Sequence, residues 1–132
     1  YGRRILSSRG ILMIKFKFST SKCLPKVIPN QYPELLKYEG EFIIEIDDIV
    51  YFQDANFAIF EFIYYVRLWA VDKKENILFN SMETEENPLI SFIYTNGQWK
   101  ICSPWQFFEC ERLFDSDELA RSINALYKQL GY

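Results

Sequence analysis

The sequence predicts a single α+β domain, in which an antiparallel sheet of about five strands is packed by two helices. Its length of 132 residues is typical of one domain. Apolar and polar residues alternate over several short segments, which is the pattern of half-buried strands. One long apolar segment and one C-terminal segment with an apolar stripe at helical spacing predict the two helices.

Alternation predicts three strands in the first half of the chain. Residues 13–19 place three apolar side chains on one face and two lysines on the other. Residues 41–46 and 49–52 repeat this pattern. Asp47-Asp48 can form the turn between them, although this dipeptide is a weaker hairpin signal than Asn-Gly.

The second half of the chain predicts a short strand and a hairpin. Residues 77–81 are short and apolar enough for one strand. Residues 89–103 alternate on both sides of Asn96-Gly97. This dipeptide is the strongest short-range hairpin signal, because both positions of the favoured turn need positive φ.

The first long helix is predicted over residues 56–71, the most apolar segment of the chain. This segment contains no turn residue, and Asp54 can cap its start. Its aromatic and β-branched content also allows two strands. Earlier in the chain, prolines interrupt residues 25–33, and Pro33 can open a short helical turn over 34–36.

The second long helix is predicted over residues 116–130. Asp115 is its candidate N-cap, and Glu118 completes the pattern of a capping box. Gly131 supplies a stop signal. One apolar stripe at helical spacing gives this helix a buried face, formed by Leu119, Ile123, Leu126, Tyr127 and Leu130.

The globular domain is predicted to span residues 13–132. Residues 1–12 contain three arginines and no acidic residue, and the alternating pattern begins only at Met13. We interpret residues 1–12 as a leader or an added extension of the domain.

The absence of histidine restricts the chemistry that this chain can perform. Histidine is the commonest general base and the commonest metal ligand. The five glycines form no phosphate-binding loop, and the three cysteines form no CxxC pair. We therefore expect a non-enzymatic domain without catalytic residues, cofactor or metal ion.

Cysteine usage and hydropathy indicate the compartment. An odd number of cysteines without framework spacing favours free thiols in a reducing compartment. The apolar segment 56–71 is too short and too charged to span a membrane. We expect a cytoplasmic protein without a membrane partner, whereas the sequence does not indicate its oligomeric state.

The charge distribution favours a basic partner. The formal net charge is −3, and three of the 15 basic residues lie among residues 1–12, so the predicted domain is more acidic than the whole chain. Nucleic acids are bound by Lys and Arg that neutralise phosphates, which argues against a nucleic-acid partner. A basic protein is the expected partner, because its electrostatic field would be complementary.

Two groups of carboxylates and one aromatic side chain are the candidate partner-binding residues. A charge run is most often a solvated face, and a partner-facing patch is the alternative. Trp105 is a candidate anchor, because it and Phe107-Phe108 follow Pro104 where the chain leaves the sheet. The candidate residues are Glu45, Asp47, Asp48, Glu83, Glu85, Glu86 and Trp105.

Glu61 is a separate candidate, because it lies within an aromatic segment where a carboxylate is costly unless it is paired or hydrogen-bonded. It can be an acid with a raised pKa that lines a ligand pocket. Alternatively, it lies at the solvent edge of its helix, or bonds a tyrosine hydroxyl or a lysine. These structural alternatives are the commoner outcome.

Several motifs carry a family resemblance, namely Phe57 to Trp69, Ser81-Met82-Glu83, Glu85-Glu86-Asn87-Pro88, Gly97-Gln98-Trp99-Lys100-Ile101 and Ser103-Pro104-Trp105-Gln106. In these motifs the chain resembles a family of small, uncharacterised cytosolic bacterial proteins. Some loosely similar proteins look like immunity proteins that neutralise secreted toxins. The resemblance covers roughly residues 15–130 and implies no catalytic residues, and the arginine-rich start departs from it.

The leading hypothesis is a protein-binding domain, an immunity-type inhibitor that covers a basic toxin by steric blockade. The alternative is a small-ligand-binding protein or a carboxylate-based enzyme with a pocket near Glu61. A third hypothesis is a homo-oligomeric module in which Trp105 and Phe108 are buried between copies.

Overall fold

The computed structural model describes residues 13–71 and 75–132, and it confirms an α+β fold. Two antiparallel sheets and two helices enclose one hydrophobic core. The elements in chain order are β1 (Ile14–Ser19), a 3₁₀ helix (Glu34–Leu36), β2 (Glu39–Ile46), β3 (Ile49–Ala58), α1 (Ile59–Val71), β4 (Ile77–Phe79), β5 (Ile90–Thr95), β6 (Gln98–Cys102), β7 (Phe114–Asp115) and α2 (Ser116–Gln129).

The first sheet has the strand order β1-β2-β3. Phe16 lies opposite Ile44, and Phe18 lies opposite Phe42, so the apolar faces predicted from alternation coincide. The predicted turn at Asp47-Asp48 is present. Both residues have positive φ, 51° and 67°, as a tight hairpin turn requires.

The second sheet has the strand order β4-β5-β6-β7. The hairpin predicted at Asn96-Gly97 joins β5 to β6, and the two residues have φ of 51° and 82°. The two-residue strand β7 pairs with the start of β6. Strand β7 directly precedes α2, so it fixes where the second helix leaves the sheet.

Three details of the predicted fold are wrong. The described residues form seven strands in two sheets, and not about five strands in one. The first helix begins at Ile59, and not at 56, because residues 56–58 continue β3: Phe57 and Ala58 lie opposite Gly40 and Glu39 of β2. Asp54 lies within β3, where its carboxylate accepts from the Asn56 N–H, and does not cap the helix.

The second helix closely matches its prediction. It spans Ser116–Gln129, with Leu130 as its C-cap residue. The Asp115 carboxylate accepts from the Glu118 N–H at 2.8 Å, which confirms the predicted N-cap. The capping box is not completed, because the Glu118 carboxylate instead binds the Ile14 N–H and the Arg121 guanidinium.

Aromatic rings fill the space between the first sheet and α1. The Phe42 ring stacks on Phe57, with a centroid distance of 4.4 Å, and contacts Phe62 at 5.3 Å. Phe79 extends this cluster towards the second sheet by packing on Phe57 and Phe62. Aromatic pairs at such distances stabilise a core beyond the effect of their buried area.

Helix α2 covers the outer edge of β1 with side chains that satisfy the free backbone groups of that strand. The Ser122 hydroxyl donates to the Ile14 carbonyl at 2.7 Å. The Gln129 amide accepts from the Phe18 N–H at 2.6 Å and donates to the Phe16 carbonyl at 3.1 Å. An edge strand protected in this way cannot pair with another chain.

The described part of the chain contains no helix that is both long and apolar enough to cross a membrane. Cys23, Cys102 and Cys110 are all free thiols, as predicted. The predicted leader, residues 1–12, lies outside the described residues.

We expect Gln129→Ala to lower the free energy of unfolding by about 1–2 kcal/mol, because it leaves the Phe18 N–H and the Phe16 carbonyl without partners. Urea unfolding measures this change. Lys128→Ala, at the neighbouring exposed position of α2, is the matched control and should change stability by less than about 0.5 kcal/mol. Equal losses in both variants would contradict the assigned role of Gln129.

Candidate functional site

The predicted acidic residues form two groups at opposite ends of β2. Glu45, Asp47 and Asp48, here called the turn group, lie at the β2–β3 turn. Glu83, Glu85 and Glu86, here called the loop group, lie between β4 and β5. The Glu83 carboxyl interacts with that of Glu39, at the start of β2. Glu39 and Glu45 are six positions apart along the strand, so the groups lie ~20 Å apart.

Basic side chains of the same chain pair with every member of the turn group. Lys17 binds Glu45 at 3.0 Å, and Lys15 binds Asp48 at 2.9 Å. Asp47 receives the Arg112 guanidinium at 2.5 Å and the Met13 N–H at 2.9 Å. The charge of the turn group is therefore balanced locally.

The loop group belongs to a loop, residues 81–88, that is ordered by its own hydrogen bonds. The Asn87 side chain accepts from the Ser81 N–H at 2.9 Å and donates to the Ser81 and Thr84 carbonyls. The Ser81 and Thr84 hydroxyls accept from the N–H groups of Glu83 and Glu86. We call this segment the acidic loop.

Trp105 supports the acidic loop and is less exposed than its position in the sequence predicts. Its ring stacks on Phe52, with an interplanar angle of 10°, and is half-buried. Its indole N–H donates to the Glu86 carboxylate at 2.7 Å. Phe108 is also half-buried, against Tyr51, whereas Phe107 is 62% exposed.

Glu61, in the first turn of α1, is completely buried. Its carboxylate accepts from the Tyr32 hydroxyl at 2.5 Å and from the Met82 N–H at 3.1 Å. This agrees with the alternative in which Glu61 bonds a tyrosine. The two bonds attach the proline-interrupted segment and the acidic loop to the same point of the core.

Three carboxyl groups from other parts of the chain act electrostatically on Glu83 near this point. Glu83 of the acidic loop is influenced by Glu39 of β2, Asp54 of β3 and Glu61 of α1. Loss of water around the Glu83 carboxyl, its hydrogen bond to Glu39 and the three negative charges together raise the pKa of Glu83 to about 7. Burial and the bond to Glu61 likewise raise the pKa of Tyr32 above its ordinary value.

The resulting surface combines negative charge with two exposed apolar groups. We call it the acidic face and define it by Glu39, Asp54, Glu83, Glu85 and Glu86, with Tyr32 and Met82 at its edge. The Met82 residue is 71% exposed, and Tyr32 is 43% exposed. Over the described ranges, no three Asp, Glu or Cys residues are placed to hold a metal ion. Such a face can attract cationic groups by its negative charge.

Four members of the acidic face were not predicted from the sequence, namely Tyr32, Glu39, Asp54 and Met82. Tyr32, Glu39 and Asp54 reach it from the proline-interrupted segment, β2 and β3. Local sequence carries no signal that brings these residues together, because their proximity depends on how the two sheets and α1 pack.

The sequence model of one protein family, described as a domain of unknown function (DUF7878), matches residues 14–132. The chain belongs to this family. No curated protein and no solved structure matches the chain. The family match covers the acidic face and both helices of this DUF7878 domain, so these features lie within the family's extent.

We expect Glu83 alone to lower the free energy of unfolding of the DUF7878 domain by about 1 kcal/mol as the pH rises from about 4.5 to about 7. In this range the folded protein retains a proton on Glu83 that the unfolded chain has released, so each step up in pH favours unfolding. The effect is smaller than for a buried group, because water screens an exposed carboxyl.

Urea unfolding of Glu83→Gln between about pH 5 and about pH 8 isolates this contribution. Glu83→Gln carries no titrating carboxyl and should lose this part of the pH dependence, whereas Glu85→Gln should retain it. If the free energies of unfolding of the two variants depend on pH equally, then Glu83 does not interact with the neighbouring carboxyl groups as described.

Proposed function

We propose that this DUF7878 domain is a non-enzymatic protein-binding domain whose acidic face binds a basic protein partner. One observation carries the proposal. Among the described residues, no Lys or Arg forms an ion pair with Glu83, Glu85 or Glu86, whereas each member of the turn group has one. The loop group therefore retains negative charge that an external cation can neutralise.

The order of the acidic loop supports binding. Asn87 joins the two ends of the loop, Trp105 holds Glu86, and Glu61 holds Met82. Carboxylates that are already fixed lose little conformational entropy when a partner arrives. The same charges accelerate the encounter with a basic surface, and this acceleration weakens as salt is added.

The edge of the acidic face supplies the apolar contacts that a stable complex needs. Met82 is a flexible, polarisable side chain that adapts to different surfaces. Tyrosine is enriched among the residues that contribute most to binding energy. The Tyr32 hydroxyl is already bound to Glu61, so its ring presents a fixed orientation to a partner.

Inhibition of a basic toxin by steric blockade is the specific role that we propose for this face. The sequence motifs resemble a family to which some immunity-like proteins are loosely similar, and this resemblance supports the role, as does the acidic composition of the domain. An inhibitor of this kind needs no catalytic group or cofactor. It needs only a stable surface of complementary charge.

The alternative function, ligand binding or catalysis at a pocket near Glu61, has less support. Both hydrogen bonds to the Glu61 carboxylate come from the protein itself. Trp105 and Phe108 pack on Phe52 and Tyr51, which also reduces the support for a homo-oligomer formed by these rings.

Affinity capture from the source cells, at low and moderate salt, tests the proposed function. The loop variant combines Glu83→Gln, Glu85→Gln and Glu86→Gln. The control variant combines Asp48→Asn, Glu111→Gln and Asp117→Asn, which replaces the same number of carboxyl groups at exposed positions outside the acidic face. We expect the native protein and the control variant to capture the same basic protein, and the loop variant to lose it.

Mass spectrometry identifies the captured proteins and gives their isoelectric points. Two results would overturn the proposal: capture of no basic protein by the native domain at either salt concentration, or equal capture by the loop variant. If only the control variant loses capture, the partner binds outside the acidic face, and this result would also overturn the proposal.

A further inference from the structure

A cavity of about 210 Å³ lies on the outer face of the second sheet. Its polar lining consists of Ser91 from β5, Lys100 and Cys102 from β6, and Ser103, Gln106 and Glu109 from the segment that follows β6. None of these residues belongs to the acidic face. The proposed function therefore leaves this cavity without a role.

Strand geometry explains why these polar groups lie together. Lys100 and Cys102 alternate with Trp99 and Ile101, which are buried in the core, so the first two share the outer face of β6. Ser91, on β5, lies directly opposite Cys102 of β6, and their Cβ atoms are about 5 Å apart.

Ser91 is the most informative residue of the cavity. It is only 8% exposed, and no described residue provides a hydrogen-bond partner for its hydroxyl. A buried hydroxyl without a partner costs about 1–3 kcal/mol, so such groups are rare unless something binds them. The Ser91 hydroxyl, which lines the cavity, is therefore free to bind a group that enters it.

The other polar groups are mainly hydrogen-bond donors. Gln106 accepts from the Tyr51 hydroxyl with its carbonyl at 2.6 Å, which leaves its amide N–H groups to donate. Ser103 accepts from the Trp105 N–H at 3.0 Å, so its hydroxyl proton is available. Together with Ser91, these side chains offer three neutral donors.

Lys100 adds a positive charge to these donors. Its nearest acidic partner, Glu109, lies at 3.8 Å, which is too long for a hydrogen bond. The Glu109 side chain is 64% exposed and can move into solvent. An anion could therefore replace Glu109 beside the Lys100 ammonium.

We propose that this cavity binds the oxyanion group of a small organic molecule, a phosphate monoester or a carboxylate. Lys100 supplies the countercharge, and Ser91, Ser103 and Gln106 donate hydrogen bonds to the anionic oxygens. The volume corresponds to about seven water molecules at ~30 Å³ each, which is more than one oxyanion group requires. The remaining space accommodates a small organic part of the same molecule.

Titrations monitored by amide ¹H–¹⁵N spectra test this proposal. The probes are inorganic phosphate, glycerol 3-phosphate and acetate, each compared with sodium chloride at equal ionic strength. We expect saturable shifts at residues 91, 100–103, 105 and 106 with at least one oxyanion and none with chloride. The relative affinities for glycerol 3-phosphate and acetate distinguish the phosphate monoester from the carboxylate.

Variants show whether the named side chains are responsible. Lys100→Gln and Ser91→Ala should each raise the dissociation constant at least fivefold. Lys26→Gln, which removes the same charge from an exposed position outside the cavity, should change the constant less than twofold. Ser91→Ala should fold normally, because the hydroxyl that it removes has no partner in the described protein.

Three results would overturn the proposal. These are the absence of saturable shifts with every oxyanion, shifts confined to residues outside the cavity, and an unchanged dissociation constant in both Lys100→Gln and Ser91→Ala. None of these results bears on the acidic face, because the capture experiment uses different residues.

Discussion

The buried carboxylate of Glu61 is the constraint on which the arrangement of the acidic face depends. A charged group inside an aromatic core is costly unless it is fully hydrogen-bonded. Tyr32 and the Met82 N–H supply these bonds, and in doing so they attach two long connections to the first turn of α1. The acidic loop is therefore fixed at one end by Glu61 and at the other by Trp105, which binds Glu86.

The placement of charge follows from this frame. The turn group lies beside lysines of β1 and an arginine of the long segment before β7. Ion pairs with these side chains balance its negative charge within the molecule. The loop group lies where Glu39, Asp54 and Glu61 add further negative charge and no described cation neutralises it. Two acidic groups that look alike in the sequence thus differ in whether described basic side chains pair with them. The sequence pattern predicts both, and only the packing distinguishes them.

Local patterns predicted the parts of the fold that depend on local interactions. Asn96-Gly97 and the Asp115 cap were both confirmed, because turn conformation and capping depend on a few neighbouring residues. The start of α1 was placed too early, since pairing with β2 extends β3 to Ala58 and overrides helix propensity. For the candidate site, the loop group was identified as acidic, but the packing of Trp105 was not predicted. Its stacking on Phe52 is a contact between distant segments, which composition and spacing do not encode.

Amide hydrogen exchange at Met82 tests most directly whether Glu61 holds the acidic loop in place. Although Met82 is largely exposed, its N–H is bonded to a buried carboxylate and should exchange only when the loop detaches from the core. We predict that this amide exchanges at least about tenfold more slowly than the Glu85 amide of the same loop, and that Glu61→Leu removes the difference. Equal exchange at Met82 and Glu85 in the native protein would contradict the account.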